Sequence, residues 1–235
     1  MLFQYRGRNR VEKFFLDDIA LSVDPGSLSG LLGIRGGMEA EVLDLVDQAL
    51  KVARPKAMYR ITRILDRTED GVTLEGVLFK SRVLRVNLEQ AERVFPYVAT
   101  CGAELDDWSK TLTDRVHRHW AESIKAVALG QAQAAMVAHL REYIHPGDTA
   151  MMNPGSIADW PLSEQPRLFR LLGEGPARIG VVLRDDHFMD PPLSVSGIRF
   201  PTKESFESCM LCPREACPGR RAAYDKNLYA RKYKK

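Results

Sequence analysis

The predicted strands of this chain come in runs, and this grouping constrains its fold more than any other feature. Apolar patterns predict strands at 59–64, 72–78, 83–86 and 94–100, with no long helix between them. Asp70-Gly71 is a typical hairpin turn within this run. Parallel strands would need crossovers of about a dozen residues or more. The sequence therefore predicts an α+β fold, with a twisted antiparallel sheet and packed helices.

Helices are predicted around these strands. Helical spacing of apolar residues predicts one helix over 38–53. A cap near Thr113 or Asp114 and the terminating residues His145-Pro146-Gly147 predict a long helix over about 113–143. A shorter helix is expected at 164–172, and further strands at 179–183 and 194–200. The helices thus lie between and after the strands without regular alternation.

Composition indicates an ordinary globular protein. The chain has 235 residues, of which 45% are hydrophobic and 28% charged, with a net charge of +3. Such a small charge does not imply a nucleic-acid partner. Basic residues gather near the C-terminus, which indicates either a solvated terminus or a docking arm for an acidic partner. They are Arg220, Arg221, Lys226, Arg231, Lys232, Lys234 and Lys235.

The N-terminal residues 1–8 show no apolar signal segment, and no apolar run is long enough to span a membrane. We therefore expect a cytoplasmic protein without a membrane partner. In a reducing compartment, clustered cysteines are more often ligands or redox groups than structural disulfides.

Three of the four cysteines lie close together, at Cys209, Cys212 and Cys217. The Cys-x2-Cys pair suits one metal ion or cluster iron, and Cys217 could add a third sulfur. Cys101 is the remaining candidate for a fourth ligand. The pattern leaves three alternatives open, namely a [4Fe–4S] cluster, a zinc ion, or free or redox-active thiols.

Other motifs carry less chemistry. Residues 153–156, Asn-Pro-Gly-Ser, expose backbone groups that a flat polar ligand could use, although the same residues are typical of a plain turn. The acidic pairs Asp17-Asp18 and Asp185-Asp186 are more typical of turns or caps than of acid–base catalysis. No catalytic residue can be assigned from spacing.

Two ordered motifs carry a resemblance to a known family. Residues 153–165, Asn-Pro-Gly-Ser-Ile-Ala-Asp-Trp-Pro-Leu-Ser-Glu-Gln, and the downstream Ser-Val-Ser-Gly of 194–197 resemble the activation domain of vitamin B12-dependent methionine synthase. Small stand-alone members of that family end in the same Cys-x2-Cys-Pro-x3-Cys-Pro-Gly-Arg-Arg motif. The resemblance predicts an activation-domain-like domain over 1–200 and a cysteine-rich, basic extension over 201–235.

The resemblance implies cobalamin on a partner protein. That partner would be a corrinoid-binding methyltransferase, such as a methionine synthase that lacks its own activation domain. In the family, the domain binds S-adenosylmethionine and lies over the corrinoid, and it restores methylcobalamin after oxidation to the Co(II) state. The residues that would face cobalamin or S-adenosylmethionine are Asn153, Pro154, Gly155, Ser156, Ser194, Ser196 and Gly197.

The chain departs from the family's Arg-x-Ala-Pro-Gly-Tyr loop at three positions. Met151 stands at the arginine, Asn153 at the alanine and Ser156 at the tyrosine. The family's arginine pairs with the carboxylate of S-adenosylmethionine, a contact that methionine cannot make. The resemblance therefore implies contact with the corrinoid more directly than it implies binding of S-adenosylmethionine.

Three functional hypotheses follow. The first is a cytoplasmic accessory protein that reductively reactivates a corrinoid methyltransferase, with an Fe–S cluster that delivers the electron to cob(II)alamin. The second is a non-catalytic docking module for a corrinoid protein, in which the cysteines hold structural zinc. The third is a reactivation domain that binds S-adenosylmethionine and works with an external flavodoxin.

Overall fold

The computed structural model describes residues 12–24, 26, 28, 30, 38–217 and 219–234. Residues 1–8, which contributed to the prediction of a cytoplasmic protein, lie outside these ranges. Within the described ranges the strands are β1 Lys13–Leu16, β2 Lys56–Arg60, β3 Thr62–Arg67, β4 Gly71–Leu74, β5 Val77–Lys80, β6 Arg93–Thr100, β7 Thr149–Met152, β8 Val182–Leu183, β9 Met189–Asp190 and β10 Ser194–Pro201.

The helices of the described residues are α1 Glu39–Val52, α2 Arg82–Asn87, α3 Ala103–Thr111, α4 Arg115–Ile144, α5 Gln165–Leu172 and α6 Gly175–Arg178. Two 3₁₀ turns lie at Leu162–Glu164 and Ser208–Leu211, and a short π-helix lies at Tyr229–Tyr233. None of the helices in these ranges is long and apolar enough to cross a membrane.

Eight strands form one twisted antiparallel sheet with β6 near its centre. On one side β6 pairs with β2 and, nearer its start, with β3. On the other side it pairs with β10, in the register Ser194↔Thr100 to Arg199↔Phe95, and β10 pairs in turn with β7. The α+β fold predicted from the grouped strands is confirmed.

Alternation along β6 separates the two faces of the sheet. Val94 and Val98 enter a core with α2 and α5, while Phe95, Tyr97 and Ala99 pack beneath α4. The 30-residue α4 begins at Asp114, whose carboxylate accepts hydrogen bonds from two backbone N–H groups, and ends at His145 with a positive φ of 52°. The predicted long helix is confirmed.

The first predicted helix is also confirmed, as α1, which packs with α3 and α4. Its buried residues have the predicted spacing, at Val42, Leu45, Val46 and Ala49. Leu50, which the same pattern placed on the buried face, is 38% exposed.

Two strand predictions were wrong. Residues 72–78 form a hairpin, because Glu75 and Gly76 adopt positive φ values of 45° and 80° and reverse the chain. Residues 83–86 lie in helix α2, where the Ser81 hydroxyl accepts a hydrogen bond from the Leu84 N–H at 2.9 Å. This cap outweighs the β-branched character of the segment.

The strand predicted at 179–183 is reduced to the two residues of β8. The backbone N–H groups of Ile179 and Val181 both donate to the Pro176 carbonyl, at 3.1 and 2.9 Å. These bonds hold residues 176–181 in a turn at the end of α6, so the strand begins only at Val182.

The C-terminal residues return to the sheet. Phe206 and Tyr233 are buried in the same core as β6 and α5. The Tyr233 hydroxyl donates to Asn87 Oδ1 at 3.0 Å, and Arg82 Nε donates to the Tyr233 carbonyl at 3.1 Å. The end of the chain is therefore anchored on α2.

Candidate functional site

Strands β6, β7 and β10 bring five polar or polarisable side chains together near the β7 edge of the sheet. Arg199 pairs with Met151 in the antiparallel register, and Gly197 pairs with Tyr97 of β6. Alternation places these residues on the face that α4 partly covers. We call this group the edge recess; it comprises Tyr97, Thr149, Met151, Asn153 and Arg199.

Gly197 allows the close packing of the edge recess. A Cβ atom at this position would lie 2.4 Å from the Met152 carbonyl oxygen and 2.5 Å from Asn153 Nδ2. Instead, Asn153 Nδ2 donates to Tyr97 Oη at 2.8 Å and to the Ser196 carbonyl at 2.7 Å. The missing side chain thus lets Asn153 bridge β10 and β6.

The loop that follows Asn153 is a closed turn. The Gly155 N–H donates to the Trp160 carbonyl at 2.8 Å, and the Ser156 N–H donates to the Asn153 carbonyl at 3.1 Å. Gly155 has a φ of 84° and is exposed, whereas Pro154 is buried. Gly155 is therefore the exposed residue of the predicted loop, and Asn153 and Ser156 are half-buried.

The predicted site residues of β10 lie on both faces of the sheet. The Ser196 hydroxyl is buried and donates to Gln165 Oε1 at 3.1 Å, and the Ser194 hydroxyl donates to Thr100 Oγ1 at 2.8 Å. Both serines face the α5 side, while Gly197 faces the edge recess. The structure thus brings Asn153 and Gly197 together and directs the two serine side chains elsewhere.

Arg199 has the most unusual surroundings of the edge recess. Its Nη1 donates to Thr149 Oγ1 at 2.9 Å and its Nη2 contacts Met151 Sδ at 3.4 Å. Its Nε is buried and has no hydrogen-bond partner. Among the described residues no carboxylate forms an ion pair with it.

Burial lowers the pKa of the Arg199 guanidinium, and the nearby positive charges of Arg141 and Arg221 act in the same direction. Tyr97 and Glu207 oppose this shift. Burial also raises the pKa of the Tyr97 hydroxyl, against the Asn153 hydrogen bond and the charges of Arg199 and Arg221. The edge recess is therefore a region of positive potential.

The sequence-based reasoning did not select Arg199 or Tyr97 as site residues. One signal was present in the sequence, because Arg199 is the sole charged residue in the strand 194–201. A charge in a strand whose other residues are uncharged indicates either an exposed edge or a ligand site.

Cys101 lies apart from the other three cysteines in a core beneath the helices. It packs with Leu105 of α3 and Trp120 of α4, and its thiol contacts the Gly102 carbonyl at 3.6 Å. Burial raises the pKa of this thiol to about 12. A thiol in these surroundings is unreactive at neutral pH.

The other cysteines lie on residues 207–222, which we call the cysteine segment. Arg220 organises it, since its guanidinium donates to the carbonyls of Cys209 and Cys212, each at 3.2 Å. The Arg220 N–H also donates to the Cys217 carbonyl at 3.1 Å. The backbones of all three cysteines therefore surround one arginine.

One residue of the cysteine segment, Arg221, also acts on the edge recess. The Arg221 N–H contacts Cys209 Sγ at 3.5 Å, and the Arg221 guanidinium lies 2.9 Å from Glu207 Oε2. The same arginine acts electrostatically on Tyr97 and Arg199. Arg221 therefore adds positive charge in the neighbourhood of the edge recess.

We tested whether the cysteines fit a metal. Across the part of the chain that the structure describes, no group of three or more His, Cys, Asp or Glu side chains is placed to hold a metal ion. The thiols of Cys209, Cys212 and Cys217 do not converge, and Cys101 lies in the other core. The arrangement therefore gives no support to the predicted four-cysteine cluster.

Comparison with known proteins identifies the fold. No protein-family model matches the sequence, and no curated protein matches it. Thirteen chains of solved structures match. One is the crystal structure of the MetH reactivation domain bound to AdoHcy, with a TM-score of 0.60, 13% identity, and coverage of 85% of this chain and 82% of that chain.

At this identity the match shows a shared fold. The protein therefore has the α+β fold of the MetH reactivation domain, as the resemblance of 153–165 and 194–197 predicted.

Proposed function

We propose that this protein is an accessory module that reactivates a cobalamin-dependent methyltransferase. The observation that carries the proposal is the fold match, which spans most of both chains rather than one shared motif. A fold can host many functions, so the argument also needs a site. The edge recess, a polar cluster that contains a partly buried cation without an acidic partner among the described residues, supplies that site.

The bound ligand of the matched structure indicates the chemistry. AdoHcy is the product that remains when S-adenosylmethionine gives up its methyl group, and the matched domain was crystallised with it. Conversion of cob(II)alamin to methylcobalamin consumes one electron and one such methyl group. In the proposal, this chain binds the nucleoside and orients it toward cobalamin carried by a partner protein.

We assign the contact surface of this reaction to the loop 153–156 and the neighbouring part of β10. Exposed Gly155 and half-buried Ser156 would meet the ligand or the corrinoid through backbone groups, while Asn153 and Gly197 fix the loop against the sheet. Ser194 and Ser196, which are bonded on the α5 side, would support the strand and not touch the ligand.

The source of the electron is a separate proposal. The hypothesis that an Fe–S cluster on Cys209, Cys212 and Cys217 delivers it rests on the sequence motif alone, so we derive no step through a cluster. Iron, sulfide and zinc analysis of anaerobically purified protein tests it. Iron and sulfide would support the redox hypothesis, and stoichiometric zinc would support the docking-module alternative. A docking module would bind the corrinoid protein without changing its oxidation state.

The decisive experiment uses a cobalamin-dependent methionine synthase from which its own reactivation domain has been removed. With this partner trapped as cob(II)alamin, we expect added protein, S-adenosylmethionine and a chemical reductant to restore the methylcobalamin absorption spectrum. Omission of S-adenosylmethionine is the matched control. Binding without spectral recovery would support the docking module. If the protein neither binds the partner nor restores the spectrum, the proposal is refuted.

A further inference from the structure

Arg199 carries a positive charge that no ion pair with a described residue neutralises. Placing a cation in a partly buried site costs free energy unless an anion or several hydrogen bonds compensate it. Here the side chain finds one hydroxyl and one thioether, and no carboxylate from the described residues pairs with it. Such a site is complete only when an anion is bound.

The open hydrogen-bonding positions lie on one edge of the guanidinium. Nε has no partner, and Nη2 contacts only the Met151 sulfur, which is a weak acceptor. These two nitrogens form the side-on fork with which arginine binds a carboxylate through two parallel hydrogen bonds. The Met151 side chain is unbranched and flexible, so a ligand can displace its thioether.

The neighbouring groups favour the same kind of ligand. The Tyr97 hydroxyl donates to the same Met151 sulfur at 3.3 Å, so displacement of this thioether would free a second donor for the ligand. Arg141 and Arg221 add positive charge nearby, and Arg221 is partly neutralised by Glu207. The edge recess therefore offers donors and positive charge to an incoming anion.

We propose that Arg199 binds the α-carboxylate of an S-adenosyl amino acid, and so recognises the amino-acid end of the nucleoside. This inference rests on the proposed function, which provides the nucleoside. It also reverses the expectation from Met151 that such binding is weakened, because the guanidinium is present on the facing strand. The register pairs Arg199 directly with Met151, about 5 Å away across the strands.

The test compares two ligands that differ at the amino-acid end. AdoHcy carries the α-carboxylate, whereas 5′-methylthioadenosine has the same adenosine and sulfur without it. Calorimetric titration should show that the protein prefers AdoHcy. In the R199M variant we expect AdoHcy to bind about 10- to 100-fold more weakly, as for a lost charge-assisted bond, with methylthioadenosine unchanged.

Two further variants separate the role of Arg199 from general damage. The swap M151R/R199M moves the guanidinium to the facing strand and should recover most of the affinity for AdoHcy. Exposed Arg115, at the start of α4, gives the matched control R115M, which should bind both ligands as the wild type does. R199K, which keeps the charge and loses the planar fork, should fall between wild type and R199M.

Several results would overturn the inference. The first is that R199M and the wild type bind AdoHcy equally well. The second is that R199M binds AdoHcy and methylthioadenosine more weakly by the same factor. The third is that the wild type binds neither nucleoside. Binding of inorganic phosphate that depends on Arg199, without binding of AdoHcy, would assign the site to phosphate. If AdoHcy binds through Arg199 but cob(II)alamin is not reactivated, the site stands and the proposed function fails.

Discussion

At position 197, a hydrogen atom in place of a side chain decides how closely three strands approach. The space that a Cβ atom would need is taken by two groups. One is the backbone carbonyl of Met152, and the other is the side-chain amide of Asn153, which is hydrogen-bonded to Tyr97. Neither can move without breaking a hydrogen bond. The edge recess thus depends on a residue that contributes no chemistry of its own.

The G197A variant should therefore be destabilised by about 1–3 kcal/mol, the usual cost of an overpacked site. It should also lose the Asn153 bridge to β10. Gly130, in the exposed interior of α4, is the matched control, since a Cβ atom there meets nothing within 4 Å. G130A should gain about 0.5–1 kcal/mol from helix propensity. Urea unfolding measures both, and equal effects would contradict the argument.

The role of a residue could be predicted from the sequence only where that role depended on its neighbours along the chain. The Asp70-Gly71 turn and the cap at Asp114 depend on neighbours in the chain, and both appear in the structure. The role of Arg199 depends on Met151, which lies 48 positions away in sequence and becomes its neighbour through strand pairing. No pattern within a short window contains that information.

Among the elements, α3 and α4 share a buried ion pair. Lys125 Nζ of α4 lies 2.8 Å from Asp106 Oδ1 of α3, and their side chains are 4% and 3% exposed. Burial alone would raise the pKa of Asp106, but hydrogen bonds from Lys125 and Lys110 outweigh it and lower that pKa. The charged pair thus fixes the packing of the two helices.

Because the pKa of Asp106 is lower in the folded protein than its unfolded value of about 3.9, its contribution to stability is present above that pH. It is lost as the pH falls through the lower folded value. D106N should therefore lower the free energy of unfolding by about 3 kcal/mol at pH 7. Its acid-induced loss of stability below about pH 4 should be shallower than that of wild type.

Exposed Asp107, on the same helix, gives the control D107N, which should change stability by at most about 0.5 kcal/mol. The measurement is chemical unfolding at a series of pH values from about 3 to about 7, which covers the range in which carboxylates titrate. Parallel curves for wild type and D106N would show that Asp106 does not titrate with folding.

Element prediction failed where a distant residue decided the local structure. The segment at 83–86 is helical because Ser81 caps it, and Asp159 supports this cap by accepting hydrogen bonds from Ser81 and from the Val83 N–H. Asp159 lies in the loop after β7, far along the chain. By contrast, α1 was predicted from the spacing of its apolar residues, and α4 was predicted from the residues at its two ends. Both signals lie within or beside the helix itself.

At the scale of the whole molecule, the last described residues hold the cysteine segment against the sheet. Tyr233 is 1% exposed, and its buried environment raises the pKa of its hydroxyl to about 12. Phe206 and Tyr233 flank the cysteine segment along the chain, and both enter the main core. The position of the cysteine segment therefore depends on this anchoring.

Y233A should cost about 3 kcal/mol and loosen the cysteine segment, while Y233F should lose only the hydrogen bond to Asn87, about 1 kcal/mol. Thiol labelling measures the outcome in the protein purified without a bound metal. In Y233A we expect Cys209, Cys212 and Cys217 to react faster, with Cys101 still protected in its separate core. Unchanged labelling would contradict the anchoring role.

The position of β10 in the middle of the sheet also has a consequence for how the protein is made. Strand β6 pairs with β10 from Thr100 to Ser194, a gap of 94 residues, and β7 pairs only with β10 among the described strands. At about 5–20 residues per second, a ribosome needs roughly 5–20 s to cover that gap. During this time β6 presents an open edge in the nascent chain, and the edge recess cannot exist before translation has passed residue 201.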